Sequence, residues 1–445
     1  MSRVLSRHLI ALVLCGCWVA SSASATDTQR VDEGAYLARA GDCVACHTAS
    51  NGKPFAGGLS IETPIGVVYS TNITPDVDTG IGAYSFEDFD KAVRHGIAKD
   101  GYSLYPAMPY PSYARVSDSD MRALYAYFMK GVDPVRQPRI PSEIPWPLSM
   151  RWPLSVWREL FAPDVGHSPP DIDTPLGRGA YLVEGLGHCG ACHTPRALTL
   201  QEQALDPSDG QQFLSGGQAQ EGWVGKNLRG DYRDGLGSWS EAELAEFFKT
   251  GRTYRAAVFG SMADVVVHSL QYLTDEDRLA IARYLKSLPA VDTDQRPHQP
   301  DPSAYQALSS ANLSNLGQRV YTDNCMACHR SDGAGYAKVF PALAGNPAVN
   351  GPDPQSLVRL VLEGGTLPAT HAAATPFSMP ALGWRLSDQE VAEVLSFVRG
   401  AWGNTSAPVS TSTVANVRKA LDDDELKAPW MDKPGARQLV PTALR

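Results

Sequence analysis

Apolar residues recur at helical spacing in three short stretches of the chain, and each stretch opens the same way. Ser117-Asp118-Ser119-Asp120 leads into MRALYAYF, Thr274-Asp275-Glu276-Asp277 into RLAIARYL, and Ser387-Asp388-Gln389-Glu390 into VAEVLSFV. A hydroxyl at the cap and an acid three residues on satisfy amides that the first helical turn leaves free. The spacing therefore predicts three capped helices rather than strands. Upstream of each lies a second helical stretch: GAYLARAG from Gly34, GAYLVEGLG from Gly179, and the looser GQRVYTDN from Gly317. Between the paired stretches the chain is rich in glycine, with Gly57-Gly58, then Gly216-Gly217, then Gly333 and Gly335. A helix, a loop-rich middle and a capped helix are thus repeated three times. The pattern predicts an all-α fold of three tandem domains, at residues 26–133, 176–290 and 311–404.

The remaining segments break this rhythm. Arg3 and Arg7 precede an apolar stretch from Leu9 to Ala20, and Ala23-Ser24-Ala25 follows. That is the order of a secretory signal peptide over residues 1–25. The apolar part is too short to span a bilayer comfortably, which argues against a retained anchor. Cys15 makes Cys17 a poor lipoprotein site. No later segment offers 18 uninterrupted apolar residues, so the mature chain is expected to be exported to the periplasmic face and to touch the membrane only peripherally. Residues 134–175 hold ten prolines together with Trp146, Trp152 and Trp157, a composition that opposes a regular domain. This stretch reads as a strap packed across the first two domains, or as a surface whose tryptophans meet a partner or the membrane interface. Residues 291–310 read as a polar linker. Residues 405–445 form a tail that runs Ser/Thr-rich, then acidic through Asp422-Asp423-Asp424-Glu425, and closes with a more apolar, basic stretch containing Trp430. It reads as a disordered tail or as a segment that docks on a partner or bilayer.

Composition narrows the function. Of 445 residues, 43% are hydrophobic and 20% charged, which is ample for packed cores and excludes disorder along the whole length. The net charge is −9, and loss of Arg3 and Arg7 with the signal segment takes it to −11. A nucleic-acid binder would need a basic face instead.

The cysteines supply the chemistry. The six that lie beyond the signal segment form CVACH, CGACH and CMACH, that is Cys43, Cys46 and His47; Cys189, Cys192 and His193; Cys325, Cys328 and His329. C-x-x-C-H is the attachment motif of c-type haem. Two thiols one helical turn apart can form thioethers to the two vinyl groups of one haem, and the adjacent histidine then supplies the proximal nitrogen to iron. A zinc ribbon would bring two C-x-x-C pairs within about 20 residues of each other and would not explain the histidines. A thioredoxin-like pair needs a βαβ context that is absent. A disulfide across this spacing would be confined to strained loops.

An electron-transfer haem usually has both axial positions filled, and methionine opposite histidine raises the potential. The sulfur should come from the segment before the last helix of each unit. Met108 in YPAMPYPSYA, Met262 in FGSMADV and Met379 in PFSMPAL stand there. Met121 and Met129 fall inside a helix and read as core. His95, His188, His268 and His371 remain alternative ligands.

With these residues in hand, the chain resembles the triple-haem cytochrome c subunits of membrane-bound bacterial dehydrogenases, such as alcohol dehydrogenase and gluconate 2-dehydrogenase. The resemblance covers nearly the whole mature chain. It rests on the three haem motifs, on FAGGLSIETPIGVVYSTNITPD from Phe55 to Asp76, and on RHGIAKDGYSLYPAMPYPSYARVSDSDMRALYAYF from Arg94 to Phe128. It implies three tandem c-type cytochrome domains with three haem c. It also implies a catalytic partner carrying flavin or a quinone cofactor, a small third subunit, and ubiquinone as acceptor. Haem attachment and axial roles carry over to Cys43, Cys46, His47 and Met108, and to the matching residues of the other two units. No nucleophile, phosphate loop or acid–base pair stands out, so the chain alone is not expected to oxidise an organic substrate. The competing classes are a free periplasmic carrier and a haem peroxidase, and the three placed methionines oppose the latter.

Overall fold

The computed structural model describes residues 27–166 and 171–421; the signal segment and the end of the tail lie outside them. Among the described residues the chain is mostly helical, and its strands form three short two-stranded antiparallel hairpins. The chain divides into two compact units, with the boundary after Ser168.

In the first unit, a helix over residues 27–40 crosses the helix Asp118–Lys130. Gly34 makes the crossing possible: a Cβ there would lie 2.0 Å from the Ala123 carbonyl oxygen. The same contact recurs twice in the second unit. A Cβ on Gly179, in the helix Pro175–Ala180, would lie 2.1 Å from the carbonyl oxygen of Ala280 in Asp275–Ser287. One on Gly317, in Leu316–Asn324, would lie 2.4 Å from that of Glu393 in Asp388–Gly400. Each haem-motif helix therefore meets its capped helix backbone to backbone, at the glycine that opens each sequence repeat.

The caps form as the hydroxyl–acid pattern predicts. Ser117, Thr274 and Ser387 accept hydrogen bonds from the amides of Asp120, Asp277 and Glu390, and Glu390 returns the bond to complete a capping box. Asp277 is also held by the Arg178 guanidinium at 2.9 and 2.8 Å, which ties the second pair of helices together. Packing behind the helices is aromatic and aliphatic. Phe55 meets Phe128 edge-on at 5.3 Å, and Met121 is fully buried, as its helical position implied.

Three segments differ from their compositional reading. The proline-rich strap carries a helix, Trp152–Phe161, with Pro153 in its first turn, where the missing N–H costs nothing. The polar linker is pinned: Asp231 accepts from the Val291 and Asp292 amides, and the helix Ser303–Ser309 buries Ala304 and Leu308 in the third core. The start of the tail docks as the helix Thr411–Ala420. Val414 is fully buried there, and Arg418 bonds Asp388 at 2.7 Å.

The second and third motif-bearing segments belong to one compact unit. Val224 N donates to Ser356 Oγ at 2.9 Å, Arg252 Nη2 to the Ala373 carbonyl at 2.7 Å, and His371 N to Gln271 Oε1 at 3.0 Å. Among the described residues no helix is long and apolar enough to cross a membrane.

Candidate haem sites

Each C-x-x-C-H segment is a single helical turn in which the histidine amide bonds the first cysteine's carbonyl. The distances are 3.0 Å for His47 to Cys43, 3.0 Å for His193 to Cys189 and 2.9 Å for His329 to Cys325. Asp42 (φ 51°) and His188 (φ 36°), which precede the first two turns, adopt left-handed backbone to start them. None of these six cysteines is joined to another in a disulfide.

The three histidines are clamped in the same manner. Nδ1 of His47 lies 2.7 Å from the Thr71 carbonyl oxygen, Nδ1 of His193 lies 2.7 Å from that of Lys226, and Nδ1 of His329 lies 3.0 Å from that of Pro341. A carbonyl only accepts, so Nδ1 must carry the proton and donate, which leaves Nε2 as the free lone pair of each ring. Each histidine's own carbonyl in turn accepts from a glycine amide: Gly57 at 2.8 Å, Gly216 at 2.9 Å and Gly335 at 3.2 Å. These come from the glycine-rich stretches of the repeat. In the second motif the approach is close enough that a Cβ on Gly217 or Gly225 would lie 1.9 or 2.0 Å from the Cys192 carbonyl oxygen.

Electrostatics fit a neutral ligand set. Burial pushes all three histidines below their usual range, favouring the neutral imidazole that binds iron. Burial also pushes the Cys43, Cys189 and Cys325 thiols up to about 12. A zinc site would need thiolates, whereas a thioether sulfur carries no charge and tolerates these surroundings. Among the described residues no group of three or more His, Cys, Asp or Glu gathers as a bare metal site.

The methionines occupy three kinds of backbone. Met108 sits in a tight bend, with its amide 3.2 Å from the Tyr105 carbonyl and its own carbonyl accepting from Tyr110 at 2.8 Å. Met379 lies in a two-residue strand paired with Gly365, against the third core. Met262 departs from the expected loop: it stands in the first turn of the helix Ser261–His268 and packs with Val258, Ala263 and Val266. Each lies upstream of the capped helix of its repeat, Asp118–Lys130, Asp275–Ser287 or Asp388–Gly400. Of the alternative ligands, His371 is engaged edge-on with Tyr272 at 5.2 Å, His95 and His268 end helices, and His188 starts the second turn.

Sequence reading missed two donors. Trp239 Nε1 and Arg252 Nη1 are buried without a hydrogen-bond partner in the protein. Trp239 meets Phe247 edge-on at 5.4 Å, and Phe247 packs on the same Val258, Ala263 and Val266 cluster as Met262. Arg252 follows Gly251, where a Cβ would touch Val258 of the same wall. Buried donors need acceptors, and a prosthetic group bearing carboxylates, as haem does, supplies them. The residues present fit the group.

Comparison with known proteins agrees. The family model described as Cytochrome c matches residues 31–131 and 314–402. The gluconate 2-dehydrogenase cytochrome c subunit of Pantoea cypripedii is 56% identical over 422 residues, covering 93% of this chain and 95% of that protein. The alcohol dehydrogenase (quinone) cytochrome c subunit of Gluconacetobacter polyoxogenes is 52% identical, covering 92% of this chain and 88% of that protein. The fructose dehydrogenase cytochrome subunit of Gluconobacter japonicus is 38% identical, covering 87% and 82%.

Proposed function

The chain belongs to the family of cytochrome c subunits of dehydrogenase complexes, and from that premise we propose that it carries three haem c and passes electrons from a partner dehydrogenase to ubiquinone. Membership makes it the electron-transfer subunit of an oxidoreductase complex rather than the catalytic chain. In the finer reading, residues 26–133, 176–290 and 311–404 each hold one haem. Met108, Met262 and Met379 would supply the second axial ligand to the irons held by His47, His193 and His329. Bound haem supplies a one-electron iron couple that no side chain of this protein offers. The protein's part is to fix the imidazole, bury the site and set the axial sulfur.

The observation that supports three haems is the histidine clamp, made three times along the chain: a carbonyl on Nδ1 and a glycine amide on the histidine carbonyl. A partner that oxidises an alcohol, a sugar acid or a similar substrate follows from what the relatives' names state. The reading also places the chain outside the inner membrane after loss of residues 1–25, in peripheral contact with the bilayer. Intact-mass measurement of the exported chain tests the cofactor count. It should show the chain lacking its first 25 residues and carrying three haem masses, and replacing Cys189 and Cys192 together with Ser should remove one. A mature chain with two haems, or with none on the second motif, would refute it.

A further inference from the structure

We infer that the cavity between the Met108 loop and the proline-rich strap binds the ring of a lipophilic quinone. This rests on the quinone-acceptor reading above and assigns it a place. The cavity is about 410 Å³ and is lined by Tyr105, Arg139, Ser142, Ile144, Ser149 and Arg151 among others. Small-molecule sites run from roughly 300 to 1,000 Å³.

Its chemistry is unusual for this chain. The Arg151 guanidinium lies 3.8 Å from the centre of the Tyr105 ring, and Arg139 donates to Tyr102 Oη at 2.7 Å. Among the described residues neither arginine has a carboxylate within ion-pair distance, in a protein of net charge −9. Burial, and to a lesser degree the charge of Arg139, hold Arg151 below the usual guanidinium range. Two guanidiniums with no acid between them, beside serine hydroxyls, offer donors to electron-rich oxygens.

The sequence neighbours of the lining bear on what kind of molecule carries those oxygens. Ile140, Trp146 and Leu148, each within two positions of a lining residue, are 36%, 80% and 51% exposed, and Trp152 next to Arg151 is 67% exposed. A soluble organic anion would leave these apolar side chains in water, whereas a hydrocarbon tail on the bound ring would give them a partner. The position suits redox work as well. Tyr105 of the cavity wall accepts from the Met108 amide, so wall and axial candidate share one bend. A quinone that accepts two electrons, delivered from the partner's substrate through this chain, takes two protons from water and turns two carbonyls into hydroxyls. The two arginines of the lining would donate to the oxygens on which negative charge develops.

The test uses the whole complex in mild detergent, irradiated with an azido-substituted short-chain ubiquinone and then digested. Label should fall within residues 102–110 or 139–152 and be displaced by excess decyl-ubiquinone. Arg151→Gln should raise KM for the short-chain quinone about tenfold, with a much smaller change in kcat, as expected for loss of a charged hydrogen-bond donor. The labelling is done on the unaltered protein, so it stands even if the variant folds poorly. Label elsewhere with an unchanged KM would overturn the placement and leave the acceptor reading intact. Label displaced by anionic phospholipid vesicles but not by quinone would make the cavity a lipid-headgroup site and overturn it too. Reduction of ferricyanide but of no quinone by the wild-type complex would sink the acceptor reading itself.

Discussion

A histidine next to two cysteines is visible in the sequence, but what holds its ring in place is not. The groups that fix His47, His193 and His329 are backbone carbonyls 24, 33 and 12 residues away, and a carbonyl leaves no mark on residue type. Trp239 and Arg252 escaped for a related reason. A lone tryptophan or arginine reads as core or surface until its unpartnered donor is seen buried. The glycines, in contrast, were legible as a recurring feature, and the structure shows their use in the amides of Gly57, Gly216 and Gly335. At this scale the axial assignment is testable. Met379→Ala should lower the potential of one haem by a sizeable part of the roughly 0.8 V window that axial ligands span. It should also open that iron to carbon monoxide. Redox titration with the visible spectrum reads both, and an unchanged titration would place the sixth ligand on another residue.

Caps at Ser117, Thr274 and Ser387 were predictable because hydroxyl, acid and apolar spacing are local. The helices Trp152–Phe161, Ser303–Ser309 and Thr411–Ala420 were not. The first is masked by prolines and the other two by polar composition, and each becomes clear only through what it packs against. The crossing glycines lie between these cases. Gly34, Gly179 and Gly317 open each repeat in sequence, yet their role is a contact roughly 90 to 100 positions ahead for the first two and nearly 80 for the third. A methyl group cannot occupy a site 2.1 Å from a carbonyl oxygen, so Gly179→Ala must push two helices apart. It should cost about 1–3 kcal/mol, the usual range for overpacking. Urea unfolding followed at the haem band should show the midpoint fall, whereas Gly101→Ala, at a position with open space, tests only the backbone strain of its positive φ. Equal stability of Gly179→Ala and the parent would mean the crossing is looser than described.

Three repeats in sequence do not say how repeats dock. Apolar periodicity reports which face of a helix is buried, and the polar residues joining the second and third segments look like ordinary surface until their partners are known. Arg252, Gln271, Ser356 and His371 are such residues, and they hold these two segments within one compact unit. Electron transfer between sites falls steeply with separation, so a fixed arrangement of the motif-bearing segments would serve an electron carrier better than free linkers. The partner, too, is a property of the whole molecule: nothing in the site residues selects the substrate oxidised elsewhere in the complex. The most direct test is to isolate this chain from its native membranes in mild detergent, identify what accompanies it by mass, and add that protein's substrate. The account predicts a dehydrogenase in stoichiometric amount and a ferrous haem spectrum that appears on addition of substrate and fades when ubiquinone follows. A triple-haem chain recovered alone, or haems that stay ferric while the partner turns over, would contradict it.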